Sequence, residues 1–284
     1  MLATAWAFSY SLNAQELKPS PPNLDLILDS LEQTERQNPA LSRHHEMTWQ
    51  YRIFRGDDPK PSSEVTARII FTPPDNETFK ITEERGNPTG KKIVHAVLEQ
   101  EIAASKAGHK GDIDRSNYDF VFLREQDFGS VREYVLHIIP RREERGLLLG
   151  DIWVDAKTYR IRQIVGIPLK PPSFWIKDLH ITVQFALVNG MWIAASVDAI
   201  ATVWFLGIHT LTGRDLASPS AAFHRFDDGS PVQRQTCRGG NHGDHKSVGW
   251  PKGADCLRQD DGDKPWLPLV FSSPAKAAAL CSFA

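Results

Sequence analysis

Cysteine is almost missing from this chain: only Cys237, Cys256 and Cys281 occur, all within the final 48 of 284 residues. A disulfide framework is therefore excluded for everything before them, and that part is indifferent to an oxidising compartment, which permits export. Blocks of basic residues are lacking as well. With 33 Lys and Arg against 35 Asp and Glu, mixed along the chain, the net charge is −2, and no basic run tracks phosphates, so no nucleic-acid partner is expected. Long apolar runs are also absent. The longest, MWIAASVDAIATVWFL from Met191 to Leu206, has sixteen residues with Asp198 in its middle, short of the roughly 20 that a membrane-spanning helix needs. Before Leu216 there is no nucleophile motif, phosphate loop or paired metal signature. No enzyme is indicated, no cofactor or metal is expected, and the Asp, Glu and His residues form no constellation that would carry a hydrolase. His44 and His45 are adjacent and so point to opposite faces of a strand, which predicts a solvated surface rather than a site.

Aromatic and aliphatic residues are plentiful. Eight Trp, fourteen Phe and a hydrophobic share of 41% supply a sizeable core. Residues Asn23 to Gln37 place Leu24, Ile27, Leu28 and Leu31 at helical spacing, with Asn23 as N-cap and Pro39 beyond the end, which predicts an amphipathic helix with one apolar stripe. Strand-like runs follow from Met47, Glu64 and Glu77, separated by GDDPKPSS and PPDN turns. A helical spacing returns from Gly90 to Lys106 with Ile93, Val97 and Ile102, and NYDFVFLRE and VREYVLHIIP resume the strand pattern. The stretch GLLLGDIWVDAKTYRIRQIVG, Gly146 to Gly166, reads as a hairpin turning at Asp155 to Thr158. In that register Val154 opposes Tyr159, Ile152 opposes Ile161 and Leu148 opposes Val165 on an apolar face, while Trp153 faces Arg160 and Asp151 faces Arg162 on the other. A last hairpin runs from Ser173 through an Asn189-Gly190 turn to Leu206, the dipeptide being the strongest short hairpin signal.

The ends differ in character. Residues 1–22 read as the later part of a secretory signal peptide cut after Ala14, followed by a Pro-rich linker, or as a plain N-terminal extension. Residues 216–284 show no sustained period, and all their acidic residues are Asp; they fit a disordered or non-native tail. Within it Cys237, His242, His245 and Cys256 offer four zinc ligands at a spacing that matches no common finger. Residues 23–215 form the folded domain.

The run YVLHIIPRREERGLLLGDIWVDAKTYRIRQIVG, Tyr134 to Gly166, and the later NGMWIAASV resemble the LolA-like group of outer-membrane lipoprotein-sorting proteins, in which a strand ending in Pro leads to a W-V-D-x-x-T-Y hairpin and a later strand opens with Gly-x-Trp. The resemblance implies a mainly β fold with α: a strongly curved antiparallel half-barrel sheet covered by one or two helices. It implies a periplasmic or otherwise extracytoplasmic bacterial protein, neither enzyme nor membrane-spanning, that carries a lipid or lipoprotein acyl chain by hydrophobic sequestration in an apolar groove. The alternative is a cell-envelope sensor or interaction module that meets a protein partner with the same sheet. The apolar face, Val154, Tyr159, Ile161, Val197, Val203 and Phe205, is the expected lining. The aromatic set Trp153, Trp175, Phe185, Trp192 and Trp204 either joins that lining or serves as ordinary core and surface.

Overall fold

The computed structural model describes residues 22–74, 76–106, 112–144, 146–170 and 174–218. The expected tail, its zinc ligands and the signal-like start therefore lie outside the described residues, apart from Pro22 and the first residues after Asp215.

Helix α1 (Leu24–Arg36) forms where the apolar spacing places it, and the Asn23 side chain accepts from Asp25 N at 2.9 Å to cap its start. Its stripe buries Ile27, Leu28 and Leu31. A short 3-10 turn, Pro39–Leu41, follows and leads into strands β1 (His45–Arg55), β2 (Ser63–Thr72) and β3 (Asn76–Gly86). Helix α2 (Pro88–Lys106) packs on β2 and β3 and precedes seven more strands. These are β4 (Tyr118–Phe128), β5 (Val131–Pro140), β6 (Leu148–Asp155), β7 (Ile161–Pro168), β8 (Ile176–Val188), β9 (Met191–Val203) and β10 (Gly207–Asp215).

All ten strands make one antiparallel sheet in the order β3-β2-β1-β10-β9-β8-β7-β6-β5-β4. Two meanders, β1–β3 and β4–β10, are thus joined by the pairing of the first strand with the last. β10 was not anticipated, because its inward positions carry Gly213 and Asp215 instead of an apolar alternation. The small residue has a reason: a Cβ on Gly213 would stand 2.7 Å from Val197 Cγ1 and 2.9 Å from Tyr51 Cε1, so glycine makes room for the Tyr51 ring to lie over β10.

The strongly curved half-barrel is corrected by this architecture. The sheet is not strongly curled or closed; β3 and β4 remain separate edges at opposite ends of the strand order. Curling a sheet requires bulges or glycine kinks repeated coherently from strand to strand. Here the bulges are scattered, at Thr66/Ala67, Phe122/Arg124, Trp153/Val154, Ile176/Asp178 and Gln184/Phe185, and the central β1–β10 ladder has none.

The hairpin register also differs from the expectation. Val154 pairs with Ile161, but the bulge then opposes Trp153 to Gln163 and Ile152 to Ile164. One extra residue, Arg162, reverses the alternation along β7, so Ile161 and Ile164 both enter the core while Val165 is only half-buried. Tyr159 sits in the turn at φ 55°, with its N–H donating to Asp155 O, and Asp155 Oδ1 accepts from Lys157 N and Thr158 N. The Asn189-Gly190 turn forms as expected, with φ of 51° and 78°, the signs a type I′ hairpin demands.

Candidate functional site

One face of the sheet carries both helices and the core. Met47, Trp49, Tyr51 and Ile53 of β1, Val65, Ala67 and Ile69 of β2, and Ile181, Val183 and Val197 of β8 and β9 join the apolar residues of α1 and α2 in a single cluster. The opposite face is a band of polar pairs: Arg52–Glu64 at 2.6 Å, Arg214–Asp198 at 2.7 Å, Arg162–Glu133 at 3.1 Å and His137–Asp151 at 2.6 Å. Gln184 donates to Gln163 and receives from Ser196 between them. The sheet thus separates an apolar, helix-covered face from a polar one.

Of the expected lining residues, Val154, Ile161 and Val197 are brought together in the core cluster, and Tyr159 packs at its margin with its ring 6.5 Å from Tyr134. Val203 ends β9, half-buried, and Phe205 lies beyond it in the β9–β10 turn, 89% exposed. The aromatic set divides in the same way. Phe185 is core, whereas Trp192 is pinned by the Asn38 side chain, which donates to Trp192 O at 2.6 Å and accepts from Trp192 N. Arg160 stacks over Trp192 at 5.7 Å, not over Trp153. Trp175 and Trp204 meet at the sheet's end, where Trp204 N donates to Trp175 O.

The most unusual place in the interior was not legible beforehand. Trp49 and Tyr51 stack at 5.7 Å, both fully buried, and neither Trp49 Nε1 nor Tyr51 OH has a hydrogen-bond partner among the described residues. Burial, then the charges of Glu101, Glu77 and Asp215, push the Tyr51 phenol well above its ordinary range. Those three carboxylates are themselves buried, and burial also raises Asp215. Period-2 alternation could have placed Trp49 and Tyr51 inward, but the acids converge on them from β3, α2 and β10, a long-range arrangement that no local pattern announces.

Helix α1 is held over the cluster by polar anchors at its margins. Arg115 reaches Asp29 at 2.8 Å and Glu32 at 3.3 Å and donates to Asp25 O, Thr34 donates to Thr158 O, and Asn38 grips Trp192. Glu35 faces the interior at the C-terminal end of α1. Burial pushes its carboxyl up to about 7, Arg160 opposing and Asp112 adding to the effect.

His137 and Asp151 form a close pair, but the strands on either side set Val121 and Val165 against them, and a nucleophile would have to stand within hydrogen-bond reach. The expectation of a solvated His44-His45 holds for His44 alone; His45 is buried against Phe71 with Nδ1 on Arg43 O. Among the described residues no group of three or more His, Cys, Asp or Glu is arranged to hold a metal ion, and no helix is long and apolar enough to cross a membrane.

No family model matches the chain, and no curated protein matches it. Among solved structures it is similar to a LolA superfamily protein from Nitrosomonas europaea, with 15% identity over 71% of this chain and 97% of that one at a TM-score of 0.38. It is also similar to an outer-membrane lipoprotein-sorting protein domain from Vibrio parahaemolyticus, at 12% identity, 68% and 92% coverage and a TM-score of 0.40. A third similarity is to the MucA/MucB complex of Pseudomonas aeruginosa, at 13% identity, 69% and 94% coverage and a TM-score of 0.22. Scores at this level assign neither family nor function.

Proposed function

We propose that this chain is an exported, non-enzymatic lipid-binding protein of the bacterial periplasm, which holds the acyl chain of a lipid or lipoprotein against the helix-bearing face of its sheet. The observation that supports it most is the pair of buried donors, Trp49 Nε1 and Tyr51 OH, left without acceptors inside an apolar cluster. Native interiors leave few such groups unpaired. An acyl ester or amide brings a neutral carbonyl that pairs them, and the surrounding Glu77, Glu101 and Asp215 disfavour an anionic head such as a free carboxylate. The chain itself would lie along Val154, Tyr159, Ile161, Val197 and Val203, each buried CH₂ contributing about 0.8 kcal/mol. Because Val154, Ile161 and Val197 are buried in the fold, entry requires α1 to lift.

The test is native mass spectrometry of periplasmically expressed protein, with the bound lipids extracted and identified. The expected result is a copurified acyl ester or amide whose retention falls in Trp49→Phe. Absence of lipid, together with no binding of a fluorescent acyl probe at micromolar concentration, would overturn the reading.

One feature supports the rival reading, a cell-envelope interaction module. β4 is an open edge with Val121 and Leu123 each 45% exposed, and such an edge can accept a partner's strand. Envelope peptide recovered on this strand in place of lipid would favour it.

A further inference from the structure

The end of the sheet at which β8 and β10 begin exposes an aromatic tip. Phe174, Trp204, Phe205, Leu206 and Ile208 are 59%, 52%, 89%, 54% and 52% exposed. They stand beside Trp175, whose ring lies 4.4 Å from Phe174 and whose carbonyl accepts from Trp204 N. Backbone bonds and ring contacts hold the tip: Leu206 N donates to Val203 O, closing a four-residue turn, Gly56 N donates to Ile208 O from the neighbouring strand connection, and the Trp204 and Phe205 rings lie 5.9 Å apart. Phe205 occupies that turn at φ 62°, a left-handed position that a bulky side chain adopts at a cost and that Gly or Asn fills freely. A turn that is strained and at the same time presents its most exposed side chain, an aromatic ring, to water is not explained by folding.

We propose that this tip inserts into the interfacial layer of a phospholipid bilayer. The exposed side chains amount to roughly 450–750 Å², taking each at about 150–250 Å² and applying its exposed fraction. A stable protein interface needs about 800 Å² per partner, so the tip is too small for one, whereas a few aromatic and aliphatic side chains suffice to seat a protein at the headgroup boundary. Both signs of charge flank the tip, Arg55 and Lys177 among Asp57, Asp58 and Asp178, all exposed. Such a rim complements zwitterionic headgroups and does not select anionic ones, which leaves hydrocarbon insertion as the source of binding. This docking goes beyond the acyl-binding reading and does not depend on it.

The experiment uses the full chain with phosphatidylcholine vesicles, read by co-sedimentation and by quenching of tryptophan emission with chain-brominated lipid. Wild type is expected to partition and be quenched, with little change when phosphatidylglycerol is added or salt is raised. Phe205→Gly suits the turn and should keep or raise the melting temperature while weakening partition by about tenfold or more; Trp204→Ser should act in the same direction. Neither variant should change binding of a soluble acyl probe, which separates this proposal from the preceding one. Failure of wild type to partition at millimolar lipid, or equal partition of Phe205→Gly, would overturn the proposal. So would binding seen only with anionic vesicles, or a dimer in sedimentation velocity that Phe205→Gly abolishes.

Discussion

Glu35 and Gly213 show how single positions in this sheet protein carry conflicts that the surrounding fold must absorb. The Glu35 carboxyl, pushed up to about 7 chiefly by burial, lies above its unfolded value, so the folded state holds a proton that the unfolded state releases between about pH 4.5 and 7. Its contribution is therefore fully present below the unfolded value and is lost as pH rises through 7. Wild type should gain about 1–3 kcal/mol of stability from this group on going from pH 8 to pH 5, and Glu35→Gln should remove that slope and be the more stable protein at pH 8. Urea unfolding at both pH values checks it; an unchanged slope in the variant would refute the assignment. At Gly213 the conflict is steric. Since an added Cβ would crowd Val197 and Tyr51, Gly213→Ala should cost about 1–3 kcal/mol. Pairing it with Tyr51→Leu in a double-mutant cycle should return part of that loss as coupling, whereas strict additivity would show that the Tyr51 ring does not set the requirement.

At the level of elements, the β6–β7 hairpin turns on one inserted residue. If Arg162 is the bulge, Ile164 belongs to the core and Val165 to the polar face, so Ile164→Lys should cost several kcal/mol and Val165→Lys much less. The unbulged register reverses that order, and chemical denaturation of the two variants decides between them. The bulge also explains Arg162's partners: displaced from the ladder, it pairs with Glu133, which is almost wholly buried and whose carboxyl burial raises against that pairing. Both helices and nine strands were legible from sequence, because apolar period, Asn23, Pro39 and Asn189-Gly190 act locally. The bulge was not, since Tyr159 to Arg162 offers no glycine or proline to mark it. β10 was missed because its burial comes from neighbours on both sides, β1 and β9, and not from its own side chains. Phe205, expected inward by extending β9's alternation, turns outward because the strand stops at Val203.

For the molecule as a whole, the acyl-binding function proposed above depends on what must move in an open sheet. A half-barrel would hold a groove between its walls, whereas a sheet that is not strongly curled can shelter an acyl chain only beneath what covers it, and α1 is the cover joined to the rest by the fewest groups. Its hold consists of Ile27, Leu28 and Leu31 in the cluster and the marginal anchors of Arg115, Thr34 and Asn38. The Arg115 pairs are exposed or half-buried and each contribute at most about 1 kcal/mol, while Asn38, buried and bonded to both backbone polar groups of Trp192, should contribute more, about 1–3 kcal/mol. Local opening of such an element lies at the low end of a protein's stability range. Amide exchange in residues 24–36 is therefore expected to be faster than in β8 and β9, to rise further in Asn38→Ala, and to slow when an acyl probe binds. Ligand at a hundred times its dissociation constant adds about 2.7 kcal/mol to the folded state. The same variant should take up the probe faster while binding it no more tightly at equilibrium, since the anchor is lost from the covered state with and without ligand. If exchange in α1 instead matches that of the central strands and is untouched by the probe, the helix is a fixed part of the core, and the edge-strand reading through β4 gains in its place.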